Sequence, residues 1–196
     1  MVFFDLVKRW FEAKGFRVTY VRNITDIDDK IIKRAIEEKV GVNEYTKKYI
    51  SELHNDEKSL FIQKPSFEPQ ATKYVPEMIE LIEKLVKKDY AYISETGDVN
   101  FAVRSFRDYG KLSGKSIEQL RVGHRISIDE KKRDPLDFVL WKGAKQGEPD
   151  DVIWKSPFGA GSVVIICSKI FSIPSPVLPE HGIAFLVSIP ITSSIC

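Results

Sequence analysis

The sequence is poor in cysteine, and its charge stops abruptly. Two cysteines, Cys167 and Cys196, stand among 196 residues. That is too few for a disulfide framework, so a reducing, cytoplasmic setting is expected. No stretch approaches the roughly 20 apolar residues of a membrane-spanning helix. The longest uncharged run, 181–196, has 16 residues and is interrupted by Pro190. The opening MVFFDLVKRWFEAKG carries Asp5, Lys8 and Arg9 inside its apolar run, which does not read as a secretory signal. A formal net charge of +2 demands no nucleic-acid partner, although clustering of charge matters more than its sum. The second shortage is local. Residues 162–196 contain only Lys169 and Glu180 out of 58 charged residues, together with eight isoleucines, seven serines and four of the ten prolines. This tail differs in kind from the 161 residues before it.

What is present has the rhythm of an α/β protein. Residues 2–14 predict a core helix, with Phe3, Leu6, Val7 and Trp10 at helical spacing and Gly15 suited to its C-terminal cap. FRVTYV, 16–21, is aromatic and β-branched and predicts a strand. A helix is expected from about Asp28 to Glu38, with Ile31, Ile32, Ala35 and Ile36 on one face. Another is expected from an N-cap at Asn43 to about Phe61, with Tyr45, Tyr49, Leu53 and Leu60 inward. A fourth follows from Pro76 to Lys88, with Met78, Ile79, Ile82, Leu85 and Val86 as its stripe. The pattern then turns to short strands: a hairpin over 90–103, RISID at 125–129 and DFVLW at 137–141, with GAKQGEPDD, 143–151, as a linker.

The strand and the first internal helix are joined by NITDIDD, 23–29, three aspartates and an asparagine in seven positions. Two readings of this cluster stand side by side. Carboxylates ahead of a helix cap orphan N–H groups and oppose the positive end of its dipole, each contributing roughly 0.3–2 kcal/mol. Loops beyond the carboxyl ends of parallel strands also bind ligands. Capping accounts for one or two aspartates but leaves Asn23, Thr25 and a third carboxylate to explain. Asp26 and Asp28 also form a D-x-D pair of the kind that holds Mg²⁺ or Mn²⁺ in metal-dependent transferases, a pattern that arises easily by chance. Arg22 is expected to pair with one of these aspartates. Basic groups at Lys47–Lys48, Lys87–Lys88 and Lys131–Lys132–Arg133 are solvated faces or contacts for RNA phosphates.

The longer string TYVRNITDIDDKIIKRA closely resembles cysteinyl-tRNA synthetases, which are class I aminoacyl-tRNA synthetases. KPSFEPQAT, GDVNFAV, YGKLSGKS, KRDPLDFVLWK and WKSPFGAG follow in the family's order, so the resemblance covers about residues 2–161. It implies a partial Rossmann-type class I synthetase catalytic domain carrying an inserted mixed α/β connective domain. The expected division is 1–89 catalytic with a helical segment, 90–145 connective, 146–161 returning to the catalytic domain, and 162–196 a diverged tail. It implies ATP-dependent activation of cysteine and transfer of the cysteinyl group to tRNA(Cys). In the family the threonine of NITD lies in the amino-acid pocket. Here that is Thr25, with Asn23 and Asp26 beside it as further substrate-binding candidates.

The family's zinc ion selects cysteine by binding its thiolate, a ligand that a borderline-soft ion prefers to a hydroxyl. Its protein ligands are two cysteines, a histidine and a glutamate. The only echo of them is Cys167, where GSVVIICS replaces a segment resembling GRPGWHIECS at shorter spacing. Cys167 reads as a small buried hydrophobe more readily than as a ligand, and His181 is not assigned. The HIGH and KMSKS motifs do not occur in the sequence, so the resemblance implies a chain that is inactive by itself. Two other classes remain: a non-catalytic module binding RNA or a partner, and a D-x-D transferase. Loss of charge and loss of resemblance coincide after Gly161, which points to a frameshifted, mis-spliced or truncated product. The encoding DNA, read in another frame beyond the Gly161 codon, is expected to restore a segment like RPGWHIECS. Sequencing both sides of the reading frame tests this, and the absence of such a frame marks the tail as true divergence.

Overall fold

The computed structural model describes residues 1–111, 114, 132–163 and 183–190. In chain order the elements are α1 (Val2–Ala13), β1 (Val18–Thr25), α2 (Asp29–Glu38), α3 (Val42–Ser59) and α4 (Val75–Lys87). There follow β2 (Ala91–Ile93), β3 (Val99–Phe101), β4 (Phe138–Gly143), β5 (Trp154–Ser156), β6 (Gly159–Val163) and β7 (Ile183–Pro190). The architecture is α/β, and the chain forms two compact units. One contains Met1–Tyr74 together with β7; the other is Val75–Val164. The units divide at Tyr74–Val75, fifteen residues ahead of the break expected at 89/90, because α4 packs on β2.

In the first unit β1 pairs with β7 in parallel, residue by residue from Val18↔Ile183 to Thr25↔Pro190. Its other edge bonds to the segment after α3: Arg22 N donates to Phe67 O at 3.0 Å and Ile24 N to Pro69 O at 2.8 Å. Six consecutive residues, Tyr20 to Thr25, are buried. Continuous burial is the mark of a strand covered on both faces, and β-branched and aromatic residues suit it. Asn23, Ile24 and Thr25 therefore belong to the strand, not to the loop expected there. Ile24, Ile27, Ile31, Ala35, Val42, Tyr45 and Leu53 complete the core.

The helices follow their apolar spacing, with three corrections. First, α3 is capped by Gly41, so Asn43 lies inside the first turn, and Leu60, beyond the last helical residue, is 62% exposed. Second, Ile36 on α2 is exposed while Ile31 and Ala35 are buried. Third, α1 is turned inside out. Phe3, Leu6 and Trp10 are exposed, whereas Lys8 is buried. The polar side is held by bonds to the turn after α3. Gln63 N donates to Asp5 Oδ1 at 2.9 Å, Lys8 Nζ bonds Gln63 Oε1, and Arg9 donates to Phe61 O at 2.6 Å. Directed bonds to the backbone of the turn outweigh burial of the apolar stripe. Gly15, at φ +85°, ends α1 as expected.

The second unit is an antiparallel sheet in the order β2-β3-β4-β6-β5. The 90–103 hairpin and the 137–141 strand are present, while RISID lies outside the described residues. The core holds Met78, Ile82, Ala91, Val99, Val103, Leu140 and Trp141. Buried Asp137 explains the polar run before β4. It accepts from Tyr92 Oη at 2.8 Å and from Val103 N at 2.9 Å, tying three elements together. Gly161 lies flat against β4. A Cβ there would stand 2.2 Å from Lys142 O and 2.5 Å from Trp141 Nε1. Gly161→Ala is therefore expected to destabilise this unit by about 1–3 kcal/mol, the usual cost of overpacking. Urea denaturation followed by circular dichroism measures it, and an unchanged midpoint refutes it.

Candidate functional site

The acidic junction resolves into separate tasks. Asp28 is the N-cap of α2, its side chain accepting from Lys30 N at 2.8 Å, and Asp29 lies in the first turn, where negative charge opposes the dipole. Asp26 is 4% exposed and accepts from Thr72 N at 2.9 Å and Thr72 Oγ1 at 2.6 Å, fastening the turn that follows the 64–70 segment. Its carboxylate and that of Asp28 serve different partners. Thr25 and Asn23 are buried at the carboxyl end of β1, with Asn23 Nδ2 3.5 Å from Thr25 Oγ1. This is the end of a parallel strand where α/β proteins take their ligands.

Arg22 does not pair with a junction aspartate. It is fully buried, and its guanidinium is shared by two glutamates from elsewhere. Nη1 bonds Glu57 Oε1 and Nη2 donates to Glu57 Oε2 at 3.0 Å. Nε donates to Glu68 Oε1 at 2.9 Å, and Nη2 bonds the same oxygen. The fork geometry of arginine allows one side chain to satisfy two carboxylates at once. Glu68 Oε2 lies 2.6 Å from His54 Nε2. Beside the network, Tyr20 has its hydroxyl pKa raised, chiefly by burial, with the Arg22 guanidinium pulling the other way.

This network borders a cavity of about 530 Å³ lined by His54, Glu57, Lys58, Ile62, Lys64 and Glu68 among others. Neither Thr25 nor Asn23 lines it. His54, Glu57 and Glu68 were not singled out from the sequence, yet one signal was there. Val42, Thr46, Leu53 and Glu57 are all buried on α3, and Glu57 follows Leu53 by four residues, so an acid stands where the helix turns inward. Cys167, the candidate thiolate, lies outside the described residues, as does His181. Of the basic groups, Lys47, Lys48, Lys87 and Lys88 are exposed, and Arg133 lies over the Tyr92 ring at 4.1 Å.

The family model described as tRNA synthetases class I (C) catalytic domain matches residues 1–172. The curated proteins similar to this chain include the cysteine–tRNA ligase of Bordetella parapertussis, 57% identical over 161 residues, 82% of this chain and 33% of the relative. The cysteine–tRNA ligases of Dechloromonas aromatica, 57% identical, and Delftia acidovorans, 55% identical, match over the same share of this chain and 35% of their own length. The chain thus spans about a third of the length of the curated relatives it matches.

Removing one partner of a buried ion pair leaves an uncompensated charge, at a cost of about 3–5 kcal/mol. Arg22→Met is expected to lose stability of that order in chemical denaturation, and Arg22→Met with Glu57→Leu to recover part of it. A single variant as stable as the parent chain sinks the assignment of Arg22 as the organising charge.

Proposed function

We propose, from the premise that this chain belongs to the class I (C) tRNA synthetase catalytic-domain family, that it is part of the catalytic region of a cysteine–tRNA ligase and is inactive by itself. One observation carries the reading. Thr25 closes a strand whose last six residues are buried, at the carboxyl end of a parallel pair, the end beyond which such sheets take their ligands. In this reading Thr25 contacts cysteine. Asn23 orients the Thr25 hydroxyl, and Asp26 holds the neighbouring turn through Thr72. The Val75–Val164 unit corresponds to the connective insertion. ATP supplies the activation energy, tRNA(Cys) receives the cysteinyl group, and the setting is cytoplasmic. Among the described residues no helix is long and apolar enough to cross a membrane.

Cys167, the candidate ligand of the family's zinc centre, lies outside the described residues, as does Cys196. Among the described residues, the group of His, Cys, Asp or Glu whose ligand atoms come together is His54, Glu57 and Glu68, which offers no thiolate. In this reading zinc, held through Cys167, would select cysteine by its thiolate.

The purified chain is expected to give no cysteine-dependent ATP–pyrophosphate exchange. A chimera in which residues 1–161 replace the matched segment of the Bordetella ligase is expected to support exchange. Thr25→Ala in that chimera should raise KM for cysteine roughly tenfold, the effect of one lost hydrogen bond. Exchange by the isolated chain refutes its inactivity, an inert chimera refutes the assignment of the segment, and an unchanged KM removes Thr25 from the pocket.

A further inference from the structure

We propose that His54, Glu57 and Glu68 form an accessory site for a divalent first-row transition metal, facing the cavity beside α3. One ligand atom from each, an imidazole nitrogen and two carboxylate oxygens, lies within 4.8 Å of the others. Ligand atoms sharing an ion at about 2.0–2.2 Å lie at most about 4.4 Å apart, so binding draws the three side chains slightly closer together.

The arrangement is built by the fold. His54 and Glu57 are three residues apart on α3, so both project from one face. Glu68 arrives from the segment bonded to β1, held by Arg22. Arg22 also grips Glu57, so the two carboxylates are already oriented before a cation arrives. An ionised carboxylate has about four lone-pair sites, which leaves each glutamate capacity beyond its bonds to Arg22. Two glutamates against one guanidinium leave one net negative charge for the cation to meet. Lys58 and Lys64 line the same cavity and oppose it, but both are exposed and extend into water.

The donor set selects the ion. One imidazole with two carboxylates suits zinc, cobalt or manganese, whereas magnesium prefers oxygen ligands and retains its water. Three protein ligands and an open cavity leave the remaining positions to solvent. A bound ion would join α3 to the 64–70 segment through bonds that the chain otherwise makes with one short contact, His54 to Glu68.

The test uses the whole chain carrying Cys167→Ser and Cys196→Ser, which removes both thiols. Cobalt titration near pH 7.5 is read by visible absorption, and zinc by isothermal titration against magnesium. The expected result is one equivalent of cobalt or zinc bound, and magnesium bound at least tenfold more weakly. His54→Ala changes a side chain that is 45% exposed and should leave the fold intact by circular dichroism. It is expected to weaken cobalt and zinc binding at least tenfold, in line with the loss caused by disturbing a metal's coordination shells. His124→Ala and His181→Ala are the controls and should bind as the parent does. Binding unchanged in His54→Ala, binding lost in either control, or no binding by the parent overturns the site.

Discussion

A guanidinium with no exposed surface governs the first unit. Arg22 sits in the middle of a strand buried on both faces, where an unpaired charge would be costly. Its two acceptors come from different places, Glu57 from a helix and Glu68 from an extended segment. Each position is therefore determined relative to the strand. Replacing such a group by an apolar triad of equal volume is often neutral or stabilising, so its value lies in specifying an arrangement. Once β1, α3 and the 64–70 segment are locked, Thr25 is fixed at the end of the strand three residues further on, and Asp26 meets Thr72.

The density of negative charge at the junction follows from this layout. One aspartate caps α2, one stands in its first turn, and one fastens a turn from a distant part of the chain. Asn23 and Thr25, both uncharged, lie buried at the end of the strand that Arg22 anchors.

Much of this was legible from residues alone. The alternation of helices and strands, the stripe of α4, the 90–103 hairpin and the 137–141 strand followed from periodicity and turn chemistry. The N-cap at Asp28 did as well. What was not legible depended on partners remote in sequence. Asn23 to Thr25 look like loop because asparagine and threonine favour turns locally, but pairing with β7 extends the strand through them. Arg22 lies near aspartates in sequence, yet its partners are 35 and 46 residues away. The apolar stripe of α1 pointed inward by pattern, while bonds to the 61–63 turn set the helix the other way. In each case a tertiary contact overrode a local preference. Glu57 is the exception, since an acid in an otherwise buried helical register announces an internal cation.

The neighbour of β1 along its parallel edge is the late strand β7, whose first residue follows the matching position in β1 by 165 places in the chain. Entropy of closing so wide a loop grows only logarithmically with length, so distance itself is no great thermodynamic burden. Timing is another matter. On the ribosome, the amide row destined for β7 must wait until residues 183–190 have been made, at about 5–20 residues per second. For that interval of roughly 8–30 seconds, a row of unmet backbone groups faces outward from an apolar strand, and whatever reaches it first will find a template already laid out.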